Sequence, residues 1–84
     1  MALIKLSKSS LDKNEILNVS KVLKKEFLGM GEEVFSFEKK LKKLFNREVI
    51  CVVNGFSALH LALESCGIGR NDEVLVPSLT YVAT

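Results

Sequence analysis

The spacing of hydrophobic positions changes character midway along this chain. Residues 1–8 read as a short extended lead-in. Ile16, Val19, Leu23 and Phe27 then recur at helical intervals, while Lys13, Asn14, Lys21, Lys24 and Lys25 take much of the other side. This pattern predicts a helix near residues 11–28. Ser9 or Ser10 can cap it, and Asp12 and Glu15 in its first turn suit the helix dipole. Gly29-Met30-Gly31 interrupts the pattern. Val34, Phe37, Leu41, Leu44 and Phe45 restore it, which predicts a second helix near 33–45. Within it Glu38 stands four residues before Lys42, a favourable pair.

From Val49 the periodicity is lost. Val49-Ile50-Cys51-Val52-Val53 is an unbroken apolar run rich in β-branched residues. It predicts a parallel strand covered on both faces. Asn54-Gly55 ends it, and a helix is expected from about Ser57 to Cys66, with Leu59, Ala62, Leu63 and Cys66 on one face. The turn Gly67–Asp72 leads to a second short strand, Glu73 to Val76, stopped by Pro77. Strand, helix and strand with this crossover length predict a right-handed parallel pair. Residues 1–48 are thus expected to be a helical segment and 49–84 the start of an α/β domain. Two strands alone do not make a stable parallel sheet. The 84 residues are therefore expected to be the front end of something larger, or a truncated product.

Composition narrows the classes. Twelve Lys+Arg against ten Asp+Glu give a net charge of +2, too little for a nucleic-acid footprint. The surplus of four positive charges before residue 49 is offset by a deficit of two after it. Lys39, Lys40, Lys42 and Lys43 read as a solvated helix face. The start has no apolar leader and no run approaches 18 apolar residues, so a cytoplasmic protein with no membrane segment is expected. Cys51 and Cys66 lack any disulfide or CxxC spacing and read as buried reduced thiols. One histidine, His60, with Glu64 four residues on, reads as a surface pair, and no metal site is expected.

Candidate chemistry sits at two turns. In Val53-Asn54-Gly55-Phe56-Ser57 a run feeds a helix through small residues. Such a turn aims backbone N–H groups and a helix dipole at one point, a setting for phosphate. The plainer reading is an ordinary strand–helix turn with a serine cap. Neither GxGxxG nor GxxxxGK[ST] is present, so dinucleotide and P-loop binding are unsupported. The second turn, Pro77-Ser78-Leu79-Thr80-Tyr81, lies past the carboxyl end of the second expected strand, where open α/β sheets bind ligands. Tyr81 either packs in a core or lies over a flat ring held by the first turn.

These blocks carry a resemblance. Val53-Asn54-Gly55-Phe56-Ser57-Ala58-Leu59-His60-Leu61-Ala62-Leu63, then Gly67–Val74, then Val76–Thr84 resemble the N-terminal part of the DegT/DnrJ/EryC1/StrS nucleotide-sugar aminotransferases. Ile4-Lys5-Leu6-Ser7 resembles their usual opening, and Gly31, Val34, Phe37 and Glu38 resemble a further segment of theirs. The resemblance implies a fold-type I pyridoxal-phosphate transferase: two front helices, then strand-helix-strand of a large-domain mixed α/β sheet. It implies Asn54, Gly55, Phe56 and Ser57 around the phosphate of pyridoxal 5′-phosphate and Tyr81 stacked on its ring. It also implies amino transfer from glutamate to a keto group of a nucleotide-linked sugar, for polysaccharide or antibiotic sugars, in a homodimer. The family usually has threonine where this chain has Phe56. Its Schiff-base lysine is expected past Thr84, so no catalytic residue is assigned within the 84 and the chain alone is expected to be inactive. Two alternatives stand beside this reading. One is a non-catalytic remnant or small interaction protein. The other is the sugar dehydratase branch of the same family, in which histidine replaces the lysine.

Overall fold

The computed structural model describes residues 2–84. Among them the regular elements are three α-helices: α1 (Lys13–Lys24), α2 (Glu32–Phe45) and α3 (Gly55–Ser65). The chain divides into two units, one ending at Phe37 and one running Glu38–Thr84.

In the first unit α1 starts two to three residues later than either serine would place it. Asp12, not Ser9 or Ser10, is the cap. Its carboxylate accepts the Asn14 N–H at 2.6 Å, and its own N–H donates to Glu15 Oε2 at 2.7 Å. This reciprocal arrangement satisfies donors that the first turn cannot pair internally. The carboxylate reaches further than a serine hydroxyl and carries the charge that the helix dipole favours. At the other end Lys25 N–H donates to Val22 O and Glu26 N–H to Leu23 O. Glu26 then turns left-handed at φ 56°, so the helix stops short of residue 28. Phe27 folds back over Gly31, where an added Cβ would meet the ring at 3.2 Å. A glycine at 31 is what permits that approach. Lys25 and Glu32 pair at 3.4 Å on an exposed surface, a contact that contributes little.

In the second unit α2 ends at Asn46, left-handed at φ 52°. The expected Glu38–Lys42 pair does not form. Lys42 pairs with Glu48, and Glu38 accepts the Cys51 N–H at 2.7 Å. α3 closes in a Schellman arrangement. Gly67 at φ 73° donates its N–H to Glu64 O, and Ile68 N–H donates to Leu63 O at 3.1 Å. The following turn is held by Asp72, whose carboxylate accepts the Gly69 N–H at 2.7 Å. Residues 74–77 run along the face of α3 that bears Leu59 and Leu63, leaving an apolar groove between them.

The expected mixed α/β sheet of a fold-type I transferase is absent: among the described residues there is no β-strand. Residues 49–53 and 73–76 form neither strand nor helix. The physical reason lies in where a strand finds its partners. Helix hydrogen bonds close within the segment, whereas a parallel strand needs neighbouring backbone and cover on both faces. Here the Cys51 N–H is taken by a side chain. Ile50, Val53 and Leu75 stand 79%, 86% and 101% exposed, without the opposing surface that β-branched residues pack against. Among the described residues no side chain is fully buried, so the helices present their apolar stripes without a core beneath them.

Candidate functional site

The turn at the start of α3 is built by Asn54. Its backbone is extended (φ −163°, ψ 172°) and its side-chain oxygen accepts the Ser57 N–H at 2.8 Å. Asparagine is among the best residues for this role, because a short amide can turn back to a donor three residues on. Ala58 N–H donates to Asn54 O at 3.1 Å and starts the helical ladder. That leaves Gly55 and Phe56, whose N–H groups have no hydrogen-bond partner among the described residues. Two unpartnered donors therefore stand at the positive end of the helix dipole. Nothing would meet a Cβ on Gly55 within 4 Å, so the space beside the first residue of α3 is open.

Tyr81 reaches the same place from the far end of the chain. It sits on a turn in which Thr84 N–H donates to Tyr81 O at 3.0 Å and the hydroxyls of Thr80 and Thr84 lie 3.2 Å apart. Asn54, Gly55, Phe56 and Tyr81 line one recess of about 660 Å³, with Ala58, Leu59, Ala83 and Thr84. Four of the five residues named from the sequence are thus brought together. Ser57 is the exception: it is half-buried and not in the recess lining, and its N–H is already held by Asn54. A serine cap was the plainer expectation for this turn; asparagine does that work instead.

The recess matches part of what a ring-bearing phosphate needs. Two unpaired backbone donors at a helix start suit the phosphate. An exposed Tyr81 ring offers a face for stacking, and the volume lies in the range of small-molecule sites. The lining includes no lysine side chain for a Schiff base and no aspartate or glutamate. Among the described residues no group of histidine, cysteine, aspartate and glutamate could hold a metal ion. His60 and Glu64 approach to 3.6 Å on the exposed side of α3, as the four-residue spacing suggests. No helix among the described residues is long and apolar enough to cross a membrane.

One residue near the site was given another role by sequence reasoning. Glu38 was matched to Lys42, yet its carboxylate crosses to the backbone of the run that delivers Asn54. The available signal was its register: an acidic residue three before Leu41 on the apolar side of an amphipathic helix.

Comparison with known proteins agrees with the blocks that drew attention in the sequence. The sequence model of the DegT/DnrJ/EryC1/StrS aminotransferase family matches residues 9–84. A GDP-perosamine synthase of Caulobacter vibrioides is 46% identical over 56 residues, covering 66% of this chain and 15% of that protein. A dTDP-3-amino-3,6-dideoxy-alpha-D-galactopyranose transaminase of Aneurinibacillus thermoaerophilus is 39% identical over 67 residues, covering 79% of this chain and 18% of that protein. The matched stretch is therefore less than a fifth of each of these curated relatives. No solved structure matches the chain.

Proposed function

Because the chain belongs to the DegT/DnrJ/EryC1/StrS aminotransferase family, we propose that it contributes the phosphate-and-ring cradle of a pyridoxal-phosphate-dependent sugar aminotransferase. The observation that carries this is one recess lined by Tyr81 and by Gly55 and Phe56, whose N–H groups have no partner among the described residues. In this reading Gly55 and Phe56 N–H donate to the phosphate. Asn54 holds the turn by keeping Ser57 N–H occupied, and Tyr81 covers one face of the pyridine ring. Bound pyridoxal phosphate supplies the electron sink on which an amino group is exchanged. The residues of this chain bind and orient it, and shield one face of its ring from water.

The proposed full reaction is amino transfer from glutamate to a keto group of a nucleotide-linked sugar. Support comes from the two relatives, whose names are those of an amino-sugar synthase and an amino-sugar transaminase. The proposed assembly is a homodimer, in keeping with the apolar stripes of α1 and α2 that no core covers. The test uses the full-length protein. Pyridoxal phosphate is titrated by absorbance, amino transfer from glutamate to a keto-sugar nucleotide is assayed, and the preparation is sedimented. Saturable binding, turnover and a dimer are expected. Binding unaffected by loss of the Tyr81 ring (Tyr81→Ala) would overturn the cradle, and failure of any keto-sugar nucleotide to accept an amino group would overturn the reaction. The 84-residue chain, with no lysine at the recess, is expected to show no turnover above free cofactor.

A further inference from the structure

α2 and the irregular run 49–53 are tied by a hydrogen bond between residues far apart in sequence. Cys51 N–H donates to Glu38 Oε1 at 2.7 Å, across thirteen residues. Glu38 is the one carboxylate in the 38–84 unit that is not fully exposed, while its helix neighbours Lys39, Lys40, Lys42 and Lys43 all are exposed. The run it grips leads within three residues to Asn54, the cap of α3. A second contact from the same helix, Lys42 to Glu48, holds the start of that run.

We infer that Glu38 is a positioning residue for the α3 turn: its carboxylate fixes the Cys51 backbone, and so sets where the free N–H groups of Gly55 and Phe56 point. The inference rests on the reading of that turn as a phosphate cradle. The physical argument has three parts. An irregular run has no ladder to fix its register. A hydrogen bond to a charged acceptor is about twice as strong as one between neutral groups. The anchoring point is three residues from the cap, too short a span to absorb a displacement, so a shift at Cys51 passes to Asn54. Glu38 does not line the recess, so it acts through the backbone rather than on a ligand.

The test uses the full-length protein with three substitutions. Glu38→Ala removes the acceptor. Glu38→Asp shortens it by one methylene and moves it out of reach. Glu38→Gln keeps an oxygen acceptor and removes the charge. Pyridoxal phosphate and inorganic phosphate are titrated against each, and amide exchange is followed at Cys51 and Ser57. Glu38→Ala and Glu38→Asp are expected to weaken binding of both probes about tenfold and to speed exchange at Cys51 and Ser57. Glu38→Gln, which keeps an acceptor without its charge, is expected to fall between the parent and Glu38→Asp. That rescue separates an acceptor role from general loss of packing. If Glu38→Ala does not fold, Glu38→Asp carries the comparison. Parent-like binding and exchange in a folded Glu38→Asp protein would overturn the inference. So would Glu38→Gln being as weak as Glu38→Asp. If the parent itself binds neither probe, the cradle reading fails. Slow Cys51 exchange that Glu38→Asp accelerates would then still establish the backbone anchor.

Discussion

Replacing Phe56 by threonine separates a backbone cradle from one that also wants a hydroxyl. Phe56 is the second residue of α3, its N–H is free, and its side chain stands 61% exposed at the recess. Threonine would add one donor beside the two backbone N–H groups. A hydrogen bond to a charged group contributes about 1.5–3 kcal/mol when shielded, and this recess is open, so about 1–2 kcal/mol is expected. That is roughly a five- to thirtyfold tightening of pyridoxal phosphate. The ring being lost is only about four-tenths covered, so the stability cost should be near 1 kcal/mol. Phe56→Val is the control, since valine matches threonine in shape without the hydroxyl. The assay is an absorbance titration of cofactor against the full-length parent and both variants. Tightening in Phe56→Thr but not in Phe56→Val supports the reasoning. Equal affinities in the two variants would refute it, because the hydroxyl would then have no phosphate to meet.

Two further outcomes follow from backbone and charge. Gly67→Ala should destabilise the full-length protein by about 1–2 kcal/mol, because φ 73° is strained for any side chain although nothing crowds the site. Gly69→Ala, with open space and no left-handed backbone, should fall within about 0.5 kcal/mol of the parent in the same urea unfolding experiment; equal losses in the two would contradict the Schellman reading. At the start of α1 the Asn14 N–H, and after it the Glu15 side chain, hold the Asp12 carboxyl below the usual aspartate range. A lowered native value means the cap is fully in force above the unfolded aspartate value, near pH 4, and is lost as pH falls through the native one. Helical chemical shifts of residues 13–16 should therefore decay on acidification below about pH 4, and Asp12→Asn should reduce that dependence, leaving the part that comes from the Glu15 carboxylate on the residue-12 N–H.

The three helices, the turn at Asn54 and the breaks near Gly29 and Gly67 could be placed from residue order alone. Each of these is a local event: a helix closes its hydrogen bonds four residues away, and caps and left-handed turns use side chains within three. Even so, the choice among neighbouring caps was not legible, since Ser9, Ser10 and Asp12 are all good cap residues and only the placed oxygens show which one reaches a donor. Placing Tyr81 with Asn54, Gly55 and Phe56 was one of two readings of the residues, favoured by the family resemblance, because 25 residues of chain separate Tyr81 from the helix start. The sheet was misjudged for the opposite reason. Val49–Val53 has strand composition, but a strand exists only where other backbone pairs with it, and in this structure the carboxylate of Glu38 takes the Cys51 N–H instead. What residue order determined was therefore what neighbouring residues do to one another. What the tertiary structure decided was which distant group answered each exposed N–H, because that depends on three-dimensional placement and not on local propensity.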